Sequence, residues 1–354
     1  MTTGAITDTS VWREIDPLTD PAWAELHRDG SSLFSSAPWM QAVAETYGLE
    51  PRARVLYDSA GSPMAGIAYC EIDDPIGRRI VSFPFSDFQE PLGDLGMAGR
   101  LIESLVDKVP VRLRIPADRL PSVDERLFPS VSRALLHHDI DVPPNDSETL
   151  FAGLHSQVRQ NIRRGRRAGI EVELRGDLEA VRLFYELHVG VRTAKYRLLP
   201  QPYSFFEALH RIFGARDELK VALARLDGEV IAGIVYIENG STLYYKFNAS
   251  RAEGQSVRPN EPLLWAGMEH CIERGLGAID LGVSDIDQPG LVRYKRKFTA
   301  NEQEVVTLST PNSPSAASAE LRATLGHLTS LLTDPRVPPS VAEEAGALLY
   351  RYFV

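Results

Sequence analysis

Short apolar runs at Val221–Leu226 and Val230–Ile237, separated by Asp227-Gly228, predict a β-hairpin, and Thr242–Ser250, after Asn239-Gly240, predicts a third strand. The period then changes to a helical one over Glu261–Arg274, an amphipathic helix that Gly275 ends. Ala278–Gly282 reads as a short buried strand. Arg293–Phe298 reads as a further strand, with Arg293, Lys295 and Lys297 on one face and Tyr294, Arg296 and Phe298 on the other. Cations crowded with a tyrosine at the end of a sheet point to a bound anion.

The first half of the chain repeats this pattern. Ala37–Gly48 predicts a helix opened by Pro38 and closed by Gly48; Ala53–Tyr57, a turn over Asp58–Ser62 and Pro63–Cys70 predict a second hairpin. Ser204–Gly214 is the corresponding aromatic-led helix of the second half, and the string Ala-Gly-Ile-x-Tyr starts at Ala65 and again at Ala232. A repeat this distant marks duplication of an α/β unit, because solenoid periods are about 20–50 residues. The expected fold is therefore α/β, with two tandem units at residues 1–145 and 146–310, each a mixed sheet flanked by helices. Asp146 or Ser147 caps the element that opens the second unit. Between the hairpin and that boundary, Leu101–Val109 predicts a helix and Val111–Pro116 a strand. Beyond the small-residue linker Pro311–Ser318, two helices at 319–332 and 340–350 make up a tail, 311–354.

Composition narrows the chemistry. A chain of 354 residues, 44% hydrophobic, has material for two cores. A net charge of -10 excludes a surface that is basic everywhere, so a phosphate or nucleic-acid partner must be met by a local patch. Cys70 and Cys271 stand apart with no metal-ligand spacing, and no metal is assigned. The absence of a long apolar run or a signal pattern leads us to expect a cytoplasmic protein. No catalytic triad, Walker loop or dinucleotide fingerprint occurs, and His137-His138 reads as surface or core filling. The patch itself is His155–Gly169, which holds five arginines and no acid. On a helix, Arg159, Arg163, Arg166 and Arg167 form one broad face, and the guanidinium fork suits phosphate oxygens. A solvated face paired with Glu171 and Glu173 fits the same pattern.

The order of elements over Lys220–Phe298 carries a resemblance, together with Ile231-Ala-Gly-Ile, Tyr245-Lys-Phe-Asn-Ala-Ser, Arg258-Pro-Asn, Asp280-Leu-Gly and Gly290–Phe298. It resembles the second half of a GNAT (Gcn5-related N-acyltransferase) domain, and within that superfamily the FemAB or Fem-type aminoacyltransferases and their BioF2-like relatives. The resemblance implies two GNAT-like domains with the tail returned to the first. It implies that Ser82–Asp87 borders the substrate channel, that Arg192 and Lys195 contact acceptor phosphates, and that Lys295 holds the acyl donor and steadies the oxyanion.

Tyr245 is a candidate proton donor to the leaving group, or a core aromatic. On strand alternation it shares a face with Phe247, opposite Tyr244, Lys246 and Asn248. Asp285, with Asp287, is a candidate relay for the amine proton, or a turn cap. Arg159, Arg163, Arg167, Arg192, Lys195, Lys246, Asn248, Arg293 and Lys297 make up the expected substrate-binding set. One departure bears on the donor: acetyl-CoA-dependent members have a Gly-rich pyrophosphate cradle, whereas Arg251–Pro262 offers one glycine and two prolines. The expected activity is transfer of an (amino)acyl group from aminoacyl-tRNA to an amine, with no bound cofactor. The expected partners are tRNA and a small-molecule or cell-wall-precursor amine. An acyl-CoA-dependent N-acyltransferase, and a non-catalytic protein that binds a phosphorylated ligand, remain alternatives.

Overall fold

Five helix starts in this chain are set by short polar side chains. Asp20, Ser36, Asp94, Asp146 and Asp177 each accept a hydrogen bond from a backbone N–H in the first turn of the helix that follows. The computed structural model describes residues 3–7, 10–28, 30–107, 109–143, 146–299, 301–311 and 316–353. Its helices are α1 (Pro21–Leu26), α2 (Ala37–Tyr47), α3 (Leu95–Glu103), α4 (Ser147–Gly153), α5 (Ser156–Arg167), α6 (Leu178–Gly190), α7 (Tyr203–Leu209), α8 (Asn260–Arg274), α9 (Pro289–Lys295), α10 (Ala316–Leu332) and α11 (Pro339–Leu349). Its strands are β1 (Thr3–Thr7), β2 (Ser10–Ile15), β3 (Pro51–Tyr57), β4 (Pro63–Ile72), β5 (Arg79–Val81), β6 (Leu92–Gly93), β7 (Val111–Pro116), β8 (Ser130–Asp141), β9 (Glu171–Arg175), β10 (Leu219–Leu226), β11 (Glu229–Asn239), β12 (Thr242–Ser250), β13 (Ala278–Asp285) and β14 (Glu302–Ser309).

The strands form one mixed sheet in the order β1-β2-β3-β4-β5-β7-β14-β8-β13-β12-β11-β10-β9, with β6 paired to β4. The order is nearly palindromic. β5 pairs with β7 in parallel as β12 does with β13; β4 lies beside β3 as β11 lies beside β10. The last strand of each half is exchanged: β14 pairs with β7 of the first half, and β8 pairs with β13 of the second. The two exchanged strands meet each other at the centre. Ala65-Gly66 and Ala232-Gly233 therefore occupy equivalent strands, β4 and β11. Each glycine is a point of close approach: a Cβ on Gly66 would lie 2.9 Å from Leu26, and one on Gly233 would lie 3.1 Å from Phe184.

One face of the sheet is covered in both halves by a shared core, in which α2 and α7 meet through Trp39, Phe205 and Phe206. On the other face, α3 covers the first half and α5 and α8 cover the second. Both cysteines are buried in these cores as thiols, and burial pushes each up to about 12.

Three elements differ from expectation. The helix expected at Leu101–Val109 is α3, shifted toward its N-terminus and capped by Asp94. Gly96 and Gly99 disguise it, and Gly99 is required because a Cβ there would lie 2.0 Å from the Ser122 carbonyl oxygen. Arg293–Phe298 is not a strand: Pro289 starts α9, which runs to Lys295 and closes in a turn. In the tail, α11 lies against Leu199 and Pro200 of the second half rather than on the first. The residues that follow it touch the first half, with Tyr350 stacked on Tyr47 and tilted on Phe85 and Phe353 beside Ser82 and Phe85, while Ser318 of α10 bonds Ile76. The 145/146 boundary and much of the Pro311–Ser318 linker adjoin or include residues 144–145 and 312–315, which lie outside the described residues.

Candidate functional site

The parallel pairing of β12 with β13 lasts only from Thr242–Ala278 to Tyr244–Asp280. Past that point both strands are bulged. On β12, Phe247 opposes Val235 and Tyr245 opposes Tyr236, so Lys246 is the extra residue. On β13, the register with β8 jumps between Asp280 and Val283 around Gly282, whose φ is 70°. The strands part, and a cavity of about 460 Å³ opens beside the bulged end of β12, under α9. Its walls are Tyr245, Asn248 and Ser250 of β12, Gln157 and Asn161 of α5, Lys195 and Tyr196 after α6, Arg258–Glu261 at the start of α8, and Tyr294 and Lys297 at α9.

The Lys246 bulge breaks the alternation expected of β12. Tyr245 shares the cavity face with Asn248, while Phe247 sits in the opposite core with Tyr244. Lys246 leaves the cavity entirely. Its ammonium is 2.8 Å from Asp87 and lies over the rings of Phe34 and Trp39.

Of the three tyrosines that line the cavity, the two enclosed ones, Tyr245 and Tyr294, define its chemistry. The Tyr294 hydroxyl is buried without a hydrogen-bond partner among the described residues, and Tyr245 stands near it. Burial raises both above the usual phenol range, so each stays a neutral O–H donor at physiological pH. At the mouth, the start of α8 is not a phosphate cradle. Pro259 and Pro262 have no N–H, and the buried Glu261 carboxylate accepts 2.7 Å from Asn161 Nδ2. The surrounding cations are Lys195, Arg258 and Lys297, the last donating to Gln157 Oε1 at 2.7 Å. Among the described residues, Lys195 and Arg258 have no acidic partner within 4.0 Å.

Beneath the cavity floor lies a buried charged cluster. Lys295 is 5% exposed, and its ammonium donates to the carbonyls of Gly282 and Val283 at 2.8 and 3.1 Å. Burial pushes it down to about 8, against the pull of Asp87 and Asp280. Asp87 accepts from Val283 N as well as from Lys246; burial pushes its carboxyl up, but the neighbouring ammonium groups hold it below the usual range. His137 bonds Asp280 at 2.9 Å and His138 bonds Glu302 at 2.9 Å. His138 therefore ties the two exchanged strands together and His137 ties β8 to β13, so neither is filler. Burial works against the His137 imidazolium, but Asp280 raises it overall.

The expected site residues divide. Tyr245, Asn248, Lys195 and Lys297 line the cavity. Lys295 does not: its ammonium turns from the cavity onto the carbonyls of Gly282 and Val283 of β13, so it underlies the splayed strands. Asp285 turns its carboxylate onto the N–H of Asp287 at 2.9 Å and caps a turn outside the cavity. Arg293 bonds back to the Pro289 carbonyl at the surface. Arg192 donates to Leu199 O and Tyr350 Oη and anchors the tail.

The basic face of α5 also turns away from the cavity. Arg159 bonds the carbonyls of Ala152 and Leu154, Arg163 stacks on Phe151, Arg166 is 3.8 Å from Glu269, and Arg167 bonds Arg163 O. The stripe that meets the cavity runs through Gln157 and Asn161, and one turn further along it is Arg164, which has no acidic partner among the described residues. Sequence reasoning missed Asn161, Arg164, Arg258, Glu261 and the role of Tyr294. The only signal for them was Arg258-Pro-Asn, singled out for its order alone.

Residues 154–296 match the acetyltransferase (GNAT) domain family. No curated protein matches the chain. Among solved structures, FemX is similar over 87% of this chain and 97% of its own, with 14% identity and a TM-score of 0.61. A C-terminal domain named as that of a lysylphosphatidylglycerol synthetase from Agrobacterium fabrum covers 86% of this chain and 95% of its own, with 16% identity and a TM-score of 0.57. L-PGS from Bacillus licheniformis covers 90% and 98%, with 12% identity and a TM-score of 0.53. At these identities the likeness is one of fold.

Proposed function

From the premise that this chain carries an acetyltransferase (GNAT) domain at residues 154–296 and is an acyltransferase, we propose that it moves an aminoacyl group from aminoacyl-tRNA to an amine, forming an amide. The observation that carries this reading is the start of α8 beside the cavity. There a buried carboxylate and two prolines stand where a CoA pyrophosphate would need free N–H groups. Glu261 suits the ammonium of an aminoacyl ester, and Lys195, Arg164 and Arg258 suit the phosphates of its tRNA.

In the proposed reaction, the acceptor nitrogen attacks the ester carbonyl carbon. The C–N bond forms, the C–O bond to the ribose breaks, and the amine proton ends on the ribose oxygen. Tyr245 or Tyr294 donates a hydrogen bond to the departing oxygen. Lys295, through the carbonyls it holds at Gly282 and Val283, fixes the bulge of β13 and places positive charge under the developing oxyanion. Positioning of both substrates supplies much of the remaining rate.

The test is donor consumption. The protein is incubated with charged tRNA, with N-acetylaminoacyl-tRNA and with acyl-CoA, each with a panel of amines. Consumption of free aminoacyl-tRNA, and poor use of its N-acetylated form, is expected. Consumption of acyl-CoA alone overturns the donor assignment and leaves the second reading, an acyl-CoA-dependent N-acyltransferase, which the acetyltransferase match favours.

A further inference from the structure

On the opposite face of the sheet from the donor cavity, three central strands place like groups side by side. Arg112 of β7 lies opposite Ser309 of β14, which lies opposite Ser130 of β8; Arg114 lies opposite Thr307, which lies opposite Ser132. Directly paired residues share a face, so these form a shelf of guanidinium and hydroxyl groups. Both arginines line a cavity of about 120 Å³ with Ser82, Ser86, Phe85 and Phe353. Among the described residues, neither guanidinium has a carboxylate within 4.0 Å or a side-chain hydrogen bond. Asp87, the acid that acts on Arg114, is already taken up by Lys246 and Val283 N.

We propose that this shelf is an oxyanion site that takes a phosphate or sulfate ester borne by the acceptor, which deepens the acyltransferase reading and rests on it. Two arginines at alternate positions of one strand repel each other, and among the described residues no carboxylate lies within 4.0 Å of either to offset them, Asp87 acting on Arg114 only from a distance. Burial and the Arg112 charge both lower the Arg114 guanidinium from its usual value. A tetrahedral oxyanion satisfies both forks at once, and the adjacent hydroxyls supply further donors. The backbone around the cavity is committed to this shape. Phe85 holds a left-handed φ of 61°, costly for a bulky residue, and the Ser82 hydroxyl accepts from Arg114 N at 2.7 Å. The segment Ser82–Asp87 leads from the shelf to the Lys295 cluster, so an acceptor anchored here approaches the splayed strands from the side the donor leaves free.

The test reads binding without any donor. Inorganic phosphate, sulfate and acetate are titrated into the full-length protein by calorimetry, with circular dichroism as the control for folding. Phosphate or sulfate binding is expected, with acetate weaker, and the stronger of the two names the ester. Arg112→Gln and Arg114→Gln should each weaken binding about tenfold or more, the loss of a charged hydrogen-bonded pair. Arg114→Lys, which keeps the charge and loses the fork, should fall between, and Arg163→Gln should bind as the parent does. Parent protein that binds neither anion, or a folded Arg112→Gln/Arg114→Gln double variant that binds as tightly, overturns the proposal. Anion binding without consumption of either donor would instead count against the acyltransferase assignment and leave the shelf standing.

Discussion

The two halves of the sheet contain the same device in different states. In the first half, β5 and β7 part after Val81–Arg112, and the chain itself fills the gap: Ser82–Glu90 crosses it, with the Ser82 side chain and Gln89 N pairing to the backbone of Arg114. In the second half, β12 and β13 part after Tyr244–Asp280, and the 460 Å³ cavity opens beside the parted end of β12, walled by α9 in place of a crossing loop. A splayed parallel pair is thus a vacancy that either a substrate or the chain's own loop can occupy. The filled copy is not idle, because its plug delivers Asp87 across the centre to Lys246 and Val283 of the open one.

If that plug supports the open site, Asp87→Ala should have the largest effect on stability. It strips a mostly buried ammonium of its partner, which costs about 3–5 kcal/mol. Urea denaturation reads it, and a loss under about 1 kcal/mol would mean that the halves are joined by other contacts.

Lys295→Met sharpens the comparison from the open side. It should lower kcat by about two to three orders of magnitude with little change in the donor's KM, provided the lysine steadies the oxyanion. The same lysine gives a pH signature. Its ammonium is held down to about 8 in the folded protein against an ordinary value of 10.5. Turnover should therefore decline as pH rises through about 8. The cost of burying the charge is full below about 8 and is relieved as pH climbs toward the unfolded value, so this group's contribution to stability rises over that window. A turnover profile flat to pH 10, or one unchanged by Lys295→Met, would remove the lysine from the mechanism.

Gly66→Ala and Gly233→Ala probe the equivalence of the halves. Each forces a methyl group against packed neighbours and should cost about 1–3 kcal/mol. Thermal melts showing a loss in only one of them would break the symmetry of β4 and β11.

The smallest effect is expected from Arg163→Gln/Arg167→Gln. It should leave the salt dependence of tRNA binding unchanged, whereas Arg164→Gln/Arg258→Gln should flatten the slope by roughly one unit per lost phosphate contact. The reverse result would restore the outer face of α5 as the anion surface.

What the sequence disclosed and what it withheld follow from the range of the interactions. The hairpins β3–β4 and β10–β11, helix α8 and the repeated Ala-Gly-Ile were legible because turn residues and apolar periods are local. The Lys246 bulge was not, since it arises only when β12 is laid against β11. Nor were β8 and β14, whose partners are far along the chain and whose outer residues are polar. Reading Arg293–Phe298 as a strand set Lys295 and Lys297 on one side. A helix started by Pro289 puts them on two, and the change moves one lysine under the floor and leaves the other at the wall. Glu261 and Asn161, distant in sequence and hydrogen-bonded in space, carried no local mark at all.

The exchange of β8 and β14 also sets an order of events during synthesis. When β7 leaves the ribosome, the next strand to follow is β8, which belongs beside β13 and β14; the strand that β7 requires is not complete until Ser309 has been made. Through that interval β7 presents a bare edge, with β8 at hand as the wrong partner. The nascent chain must hold the first half unfinished until β14 has been made. Slowing translation before residue 302 should therefore lower the yield of native protein rather than improve it.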